Sequence, residues 1–255
     1  MTQKICLITG GAGFLGRKYC EYFIKKNFKV LCIDNNKENL KKIKSLKLKN
    51  LTTYKCDITN HSKVEKLFKS INKFFFVDVL VNNAAIDAIP FKKNSKIQKF
   101  PTNKMWDNEL DVSLKGSFHM IKFFGEEMAL NKRGSIINIG SDLSVIAPNQ
   151  KIYRSSYKDY IKPVTYSVIK HGMLGLTKYF SSLYANKNVR VNMISPGPIK
   201  NNQSKKLLKE LVNIIPMARL GNPEEILGLL YFLASNNSSY ITGQNILIDG
   251  GRTVI

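Results

Sequence analysis

Short apolar runs alternate along the chain with segments in which apolar residues recur at helical spacing. Seven of these runs predict β-strands, over 4–9, 28–34, 51–57, 77–84, 134–141, 189–195 and 245–249. Because the runs are almost continuously apolar, we expect strands covered on both faces, as in a parallel sheet. The helical segments between them supply crossovers, whose right-handedness favours a doubly wound architecture. The pattern predicts an α/β fold with a seven-stranded parallel sheet flanked by helices.

The 255 residues show no composition break, flexible linker or internal repeat, so 1–255 is interpreted as one domain. Long helices are expected over 104–130 and 157–185. Two segments, 88–103 and 142–163, are interpreted as inserted loops that follow the carboxyl ends of strands, where open α/β sheets bind ligands. Each is either a variable surface loop or a lid or substrate wall.

The chain carries 40 lysine and arginine residues against 18 aspartate and glutamate residues, a formal net charge of +22. Lysines supply most of this charge, whereas nucleic-acid surfaces use the planar fork of arginine to contact phosphates and bases. The composition therefore favours a solvated basic surface. Nucleic acid is not the expected partner, and attraction of polyanions or anionic substrates stays an alternative.

The four cysteines, Cys6, Cys20, Cys32 and Cys56, form no C-x-x-C pair and have no histidine at metal-ligand spacing. We interpret them as core residues in a reducing compartment and predict no metal site. No apolar run is long enough to cross a bilayer. The first residues are typical of a strand entering a glycine turn rather than of a signal peptide, so the expected location is the cytoplasm, without a membrane partner.

A glycine-rich turn, Thr9-Gly10-Gly11-Ala12-Gly13-Phe14-Leu15-Gly16, follows the first strand and opens a helix. Gly10 permits a tight turn, Gly13 lets a pyrophosphate approach the backbone, and Gly16 lets the helix pack closely on the sheet. The helix N-terminus offers free N–H groups to phosphates. This context predicts a dinucleotide-binding site that includes Thr9, Phe14 and Leu15.

Asp34 ends the second strand, 18 residues after Gly16, where a carboxylate can accept hydrogen bonds from ribose hydroxyls and repel a 2′-phosphate. NAD is therefore expected as the cofactor rather than NADP, although Lys37 could reach a phosphate. Asp57 ends the third strand and, with Ile58, is expected at the adenine. The alternative for Asp57 is an acidic residue at a helix N-cap.

Tyr166 and Lys170 stand four residues apart, so both side chains lie on one helix face. A free phenol is a poor base at neutral pH, and a nearby ammonium lowers its pKa by favouring the phenolate. Such a tyrosine can exchange a proton with a substrate hydroxyl or carbonyl.

Taken together, these motifs resemble the short, single-domain branch of the short-chain dehydrogenase/reductase family, with its Rossmann-like fold. The resemblance runs nearly end to end and includes further segments: Asn82-Asn83-Ala84-Ala85, Ser141, Ser195-Pro196-Gly197, Arg219-Leu220-Gly221-Asn222-Pro223-Glu224-Glu225, Phe232-Leu233-Ala234-Ser235, Thr242-Gly243 and Asp249-Gly250-Gly251.

The resemblance implies a role for each matching residue. Tyr166 would be the acid/base, Lys170 would lower its pKa and hold the nicotinamide ribose, and Ser141 would polarise the reacting oxygen. The cofactor would also meet residues after the fourth and sixth strands: Asn82, Asn83, Ala84, Ala85, Pro196, Gly197 and Ile199. The helices over 104–130 and 157–185 would pair across subunits, which implies a homodimer or homotetramer.

The sequence also departs from the family pattern. Ser113 stands where the family commonly has an asparagine that holds a water in the proton relay, so Ser113 is the fourth candidate catalytic residue. The spacing of Gly10, Gly13 and Gly16 resembles the longer, sugar-nucleotide-modifying branch. The 25 residues from Ser141 to Tyr166 exceed the usual spacing, so a segment is inserted between them.

That insertion, with Ile146-Ala147-Pro148 and Lys162-Pro163-Val164-Thr165-Tyr166, resembles a bacterial subgroup of flagellin- or surface-glycan-modification oxidoreductases. This similarity implies a sugar-derived substrate. Four candidate pocket residues are Asp87, Leu143, Tyr153 and Tyr160.

Three hypotheses follow. The first is an NAD-dependent oxidoreductase that acts on a secondary alcohol or ketone of a sugar-like or nucleotide-sugar molecule. The second is a nucleotide-sugar dehydratase or epimerase that uses NAD transiently; the glycine spacing favours it, and the lack of a substrate domain opposes it. The third is a non-enzymatic binding protein that keeps the fold and uses its basic surface.

Overall fold

The computed structural model describes residues 3–86, 100–157 and 160–255. Seven strands form one all-parallel sheet in the order β3-β2-β1-β4-β5-β6-β7, which confirms the predicted architecture. The strands are β1 Ile5–Thr9, β2 Lys29–Asp34, β3 Leu51–Lys55, β4 Val79–Asn82, β5 Gly134–Ile139, β6 Val189–Pro196 and β7 Asn245–Ile248. The order reverses between β1 and β4, and this switch point opens a crevice at the carboxyl edge of the sheet.

Helices connect the strands and cover both faces of the sheet. They are α1 Phe14–Lys25, α2 Lys37–Ser45, α3 His61–Asn72, α4 Asn103–Leu110, α5 Gly116–Met120, α6 Glu126–Leu130, α7 Gln150–Ser156, α8 Val164–Tyr184, α9 Lys205–Val212 and α10 Glu225–Ala234. Apolar residues of α1, α2 and α10 pack with one face of the sheet. Those of α3, the helical run over 103–130 and α8 pack with the other.

The helix expected over 104–130 is present over 103–130, with π-helical turns at Asp111–Lys115 and Ile121–Gly125. The helix expected over 157–185 starts later, because α8 begins at Val164 and Pro163 is extended, with φ −59° and ψ 143°. Proline also disfavours helical backbone at the residue before it, Lys162. The expected start at 157 is therefore wrong.

Of the two expected inserted loops, the structure describes mainly the second. Most of the segment 88–103 lies outside the described residues. The segment 142–163, expected as a loop, contains a short 3₁₀ helix at Asp142–Ser144 and the helix α7. An Asn149 side chain caps α7 by accepting a hydrogen bond from the Lys151 N–H. The insertion is therefore partly helical, and it leads directly into α8.

Candidate active site

The glycine turn between β1 and α1 lies against the segment that follows β4. Gly10 has a φ of +60°, and a Cβ there would lie 2.8 Å from Ala84 Cα. A Cβ on Gly16 would lie 2.1 Å from the Gly10 carbonyl oxygen, so α1 packs onto the turn only with glycine at this position. Thr9 is buried, and its hydroxyl accepts hydrogen bonds from the Asn83 and Ala84 N–H groups at 3.0 and 3.1 Å. Thr9 therefore joins the two backbone segments, and it is not among the residues that line the cleft between them and the ends of β2 and β3.

A cleft of about 860 Å³ runs along this turn and the ends of β2 and β3. Predicted cofactor residues line it: Gly10, Gly13, Phe14, Leu15, Asp34, Asp57, Ile58, Asn83, Ala84 and Ala85. Among the described residues that line this cleft, Asp34 and Asp57 are the charged ones, and both are acidic. Lys37, the first residue of α2, is exposed and does not line it. This end of the cleft therefore carries negative charge.

Backbone hydrogen bonds fix both carboxylates. Asp34 accepts hydrogen bonds from the Ala12 N–H at 3.1 Å and the Asn36 N–H at 2.9 Å, so it ties the end of β2 to the glycine turn. Asp57 Oδ1 accepts from the Thr59 N–H and hydroxyl at 3.1 and 2.8 Å. The N-cap of α3 is Asn60, so the alternative interpretation of Asp57 as the helix cap is wrong.

A second cavity, of about 250 Å³, adjoins the cleft, and residues shared by both linings are Phe14, Leu15, Asn83, Ala85 and Asn201. Tyr166, Lys170 and Ser141 line this cavity, together with Pro196, Gly197 and Ile199. The three candidate catalytic side chains thus lie together where one end of a dinucleotide in the cleft would reach. The glycine turn and the continuous cavity fit a dinucleotide cofactor.

Helix α8 carries Tyr166 and Lys170 on the face that looks into the cavity. Lys170 is 5% exposed, its Nζ lies 5.5 Å from the Tyr166 ring centroid, and it donates to the Ile139 carbonyl at 3.0 Å. The carbonyl of the last residue of β5 therefore fixes the ammonium beside the tyrosine. This spacing gives the cationic neighbour that the sequence predicts for Tyr166.

Ser141, two residues after the end of β5, belongs to a buried polar chain that local sequence motifs do not reveal. Its hydroxyl donates to Asp142 Oδ1 at 2.8 Å and accepts from the Leu143 N–H at 3.2 Å. The other carboxylate oxygen of Asp142 accepts from Arg252 Nη1, and both side chains are about 95% buried. Since Arg252 compensates the buried charge, Asp142 can orient the Ser141 hydroxyl without an unpaired carboxylate.

The candidate pocket residues have different positions. Leu143 and Tyr153 line the cavity. Tyr160 does not; it packs edge-to-face on Tyr153 and Tyr157, at centroid distances of 6.1 and 5.9 Å, in a cluster with leucines of α9. Its expected place in the pocket is corrected to a packing position behind it. Asp87 lies outside the described residues.

Two further predicted residues are buried and line neither cavity. Ser113 is 3% exposed, lies in the π-helical turn after α4, and its Oγ has no hydrogen-bond partner within the described part of the chain. Asn82 is 2% exposed and donates to Asn138 Oδ1 at 2.9 Å. Neither residue is among those that line the cleft or the second cavity, where a direct role of Ser113 in the relay or of Asn82 at the cofactor would place them.

The chain is similar to known proteins along nearly its whole length. Residues 11–253 match the family model described as enoyl-(acyl carrier protein) reductase. A 3-oxoacyl-[acyl-carrier-protein] reductase FabG of Thermotoga maritima is 33% identical over 98% of each chain. An NAD-dependent glycerol dehydrogenase of Listeria innocua is 31% identical over 100% of this chain and 95% of its own.

A solved structure has the same fold across the whole chain. The crystal structure of a short-chain dehydrogenase from Leptospira borgpetersenii with bound NAD⁺ superposes with a TM-score of 0.88 and 30% sequence identity, covering 99% of this chain and 94% of the other. Within the described residues, no helix is both long and apolar enough to span a bilayer.

Proposed function

Because the chain belongs to the short-chain dehydrogenase/reductase family, whose members oxidise CH–OH groups or reduce ketones, we propose that it uses NAD on a sugar-like substrate. The acidic lining of the cofactor cleft is the observation that supports NAD as the cofactor. Asp34 and Asp57 favour the free ribose hydroxyls of NAD over the 2′-phosphate of NADP, which would place like charges together without a lining cation.

The lining of the second cavity supports a compact hydroxylated substrate. Four charged side chains, Asp142, Lys162, Lys170 and Arg252, line a space of about 250 Å³. Tyr153 and Asn201 add hydrogen-bonding groups, and Leu207 and Leu211 of α9 close one wall. Most of the remaining lining is apolar, so these polar groups would bind the hydroxylated part of the substrate.

The chemistry divides between the cofactor and the side chains. When bound, the nicotinamide accepts or supplies the hydride. In the oxidation direction, Tyr166 takes the proton of the substrate hydroxyl, the carbinol C–H bond releases its hydride, and the C–O bond becomes C=O. Lys170 favours the phenolate that this step needs. Ser141 lies in the same cavity, and its hydroxyl would turn from Asp142 Oδ1 to donate to the reacting oxygen.

The proposal extends to assembly and location. An apolar groove of about 380 Å³ between the 103–130 helical run and α8 supports pairing of two copies, as a homodimer or homotetramer. The four cysteines are free and buried, and burial raises the pKa of Cys6 and brings that of Cys56 to about 11, so these two thiols stay neutral. Unreactive core thiols suit the reducing cytoplasm.

A substrate screen tests the proposed function. Purified protein is incubated with NAD and polyols, sugars, sugar acids and nucleotide sugars, and with NADH or NADPH and a 3-oxoacyl thioester. The expected result is net NADH formation with a hydroxylated compound. Turnover of the thioester alone would contradict the proposal of a sugar-like substrate. Product formation without net NADH would favour the dehydratase or epimerase hypothesis over the oxidoreductase.

A further inference from the structure

A second lysine lies against the candidate acid/base. Lys162 Nζ is 3.9 Å from the ring centroid of Tyr166, which is closer than Lys170 Nζ at 5.5 Å. Lys162 is 4% exposed and lines the same cavity as Tyr166. It precedes α8 and belongs to the inserted segment, so it reaches the ring from a different part of the chain than Lys170.

The backbone of Lys162 is held in place by one side chain. Gln150, the first residue of α7, accepts from the Lys162 N–H at 2.8 Å and donates to the Lys162 carbonyl at 3.1 Å. Pro163 follows with its φ fixed near −60°. These constraints on both sides position the side chain, and holding a long, hydrated ammonium in a buried place costs entropy and solvation. Its position is therefore built by the insertion rather than incidental.

The charges around Tyr166 come from several elements. Lys170 is on α8, and the pair Asp142–Arg252 joins the segment after β5 to the C-terminal segment, with its two charges compensating each other. Glu109 of α4 accepts from the hydroxyl of Thr165, and Tyr153 of α7 lines the cavity. Within the described part of the chain, the ammonium groups that lie over the Tyr166 ring are those of Lys162 and Lys170.

We propose that Lys162 is a positioning residue that, together with Lys170, stabilises the phenolate of Tyr166. A positive charge next to the aromatic ring favours the negatively charged form, whose charge is shared between the oxygen and the ring. The proton that Tyr166 releases goes to solvent in the free protein and is replaced by the substrate hydroxyl proton during oxidation. The inference rests on the proposed role of Tyr166 as acid/base.

The first test reads the ionisation of Tyr166 without cofactor or substrate. The ultraviolet absorbance of tyrosinate is titrated against pH in the wild type and in Tyr166→Phe, and the difference isolates Tyr166 from the other ten tyrosines. The same titration is run with Lys162→Met, which keeps most of the length of the side chain and removes its charge. Removing the cation disfavours the phenolate, so ionisation should move to higher pH by roughly one to two units.

Two further variants separate charge from packing. Lys162→Arg keeps the cation and should restore ionisation to near the wild-type pH. Lys151→Met removes an exposed charge on α7 and should leave ionisation unchanged. Should Lys162→Met fail to fold, as judged by circular dichroism, Lys162→Gln takes its place. Unchanged ionisation of Tyr166 in a folded neutral variant would overturn the proposal.

The second test is the pH dependence of turnover with any alcohol found by the screen. In Lys162→Met the acidic limb of kcat should move to higher pH by the same one to two units, with a loss of about tenfold per unit at low pH. A uniform loss at every pH, with no shift, would indicate a structural role and reject the proposal. Because the absorbance titration needs no turnover, it can support this inference even when the screen rejects the proposed substrate. Likewise, the screen can support the proposed function even when Lys162→Met leaves the ionisation of Tyr166 unchanged.

Discussion

The acid/base chemistry proposed for Tyr166 depends on the side chains that the fold places around it. On its own a tyrosine four residues before a lysine is a common pattern, and a free phenol is largely protonated at neutral pH. The described geometry adds Lys170, fixed on the Ile139 carbonyl, and Ser141 in the same cavity. The chemistry follows from this grouping, so the phenol oxygen should be indispensable.

Replacing Tyr166 with phenylalanine removes the oxygen and keeps the ring. Turnover should fall by about 10² to 10⁴, the usual scale for a lost acid or base, while NADH binding changes little. Steady-state kinetics and fluorescence titration measure the two quantities. Tyr179→Phe, on the same helix but 64% exposed, is the matched control and should keep full activity. Full activity of Tyr166→Phe would remove the acid/base assignment.

Residues that belong to local motifs could be predicted from the sequence, and those that act through distant contacts could not. Gly10, Gly16 and Asp34 carry signals within a single strand–turn–helix unit, and they lie where expected. The contact between Asp142 and Arg252 joins positions 110 residues apart, and no short sequence pattern predicts it. Lys162 was visible as part of a motif, but its approach to Tyr166 depends on Gln150 and on the path of the insertion.

At the scale of elements, the strands were more predictable than the helix ends. The seven apolar runs match the seven strands closely because burial on both faces leaves a continuous signal. The start of α8 was predicted seven residues too early, since aromatic residues over 157–160 continue an apolar spacing that Pro163 interrupts. Helix α7 was missed because its seven residues are too few to show a period.

The groove between α5 and α8 is an element-scale feature with an expected use. It is lined by Leu114, Lys115, Phe118, Gly172, Gly175 and Leu176. Phe118 is 41% exposed, and a Cβ on Gly175 would meet no atom within 4 Å. The exposed Phe118 ring beside the open surface at Gly175 gives this groove an apolar area on which a second copy can pack.

Phe118→Glu should therefore weaken self-association. A charge in the centre of an apolar interface costs desolvation, so the proposed dimer or tetramer should shift towards a monomer at micromolar concentration. Light scattering after size-exclusion chromatography measures the mass. Phe74→Glu, at a site 69% exposed after α3, is the control and should leave the mass unchanged. A wild-type monomer, or an unaltered mass in Phe118→Glu, would exclude this interface.

At the scale of the whole molecule, charge is distributed unevenly. The formal net charge is +22, yet the described residues that line the cofactor cleft carry two carboxylates and no lysine or arginine. General attraction of anions by a basic surface would favour NADPH, which has the additional phosphate. The local carboxylates oppose it at short range, where the interaction is less screened by salt. Cofactor preference therefore tests whether the site or the overall charge decides function.

The most direct measurement is the titration of purified protein with NADH and with NADPH, followed by fluorescence at physiological salt. The acidic cofactor cleft predicts tight NADH binding and much weaker NADPH binding. Asp34→Asn should narrow the difference between these two affinities while preserving an acceptor for the Ala12 N–H. Equal affinity for the two cofactors, or a preference for NADPH that Asp34→Asn does not alter, would contradict the proposed NAD-dependent oxidoreductase.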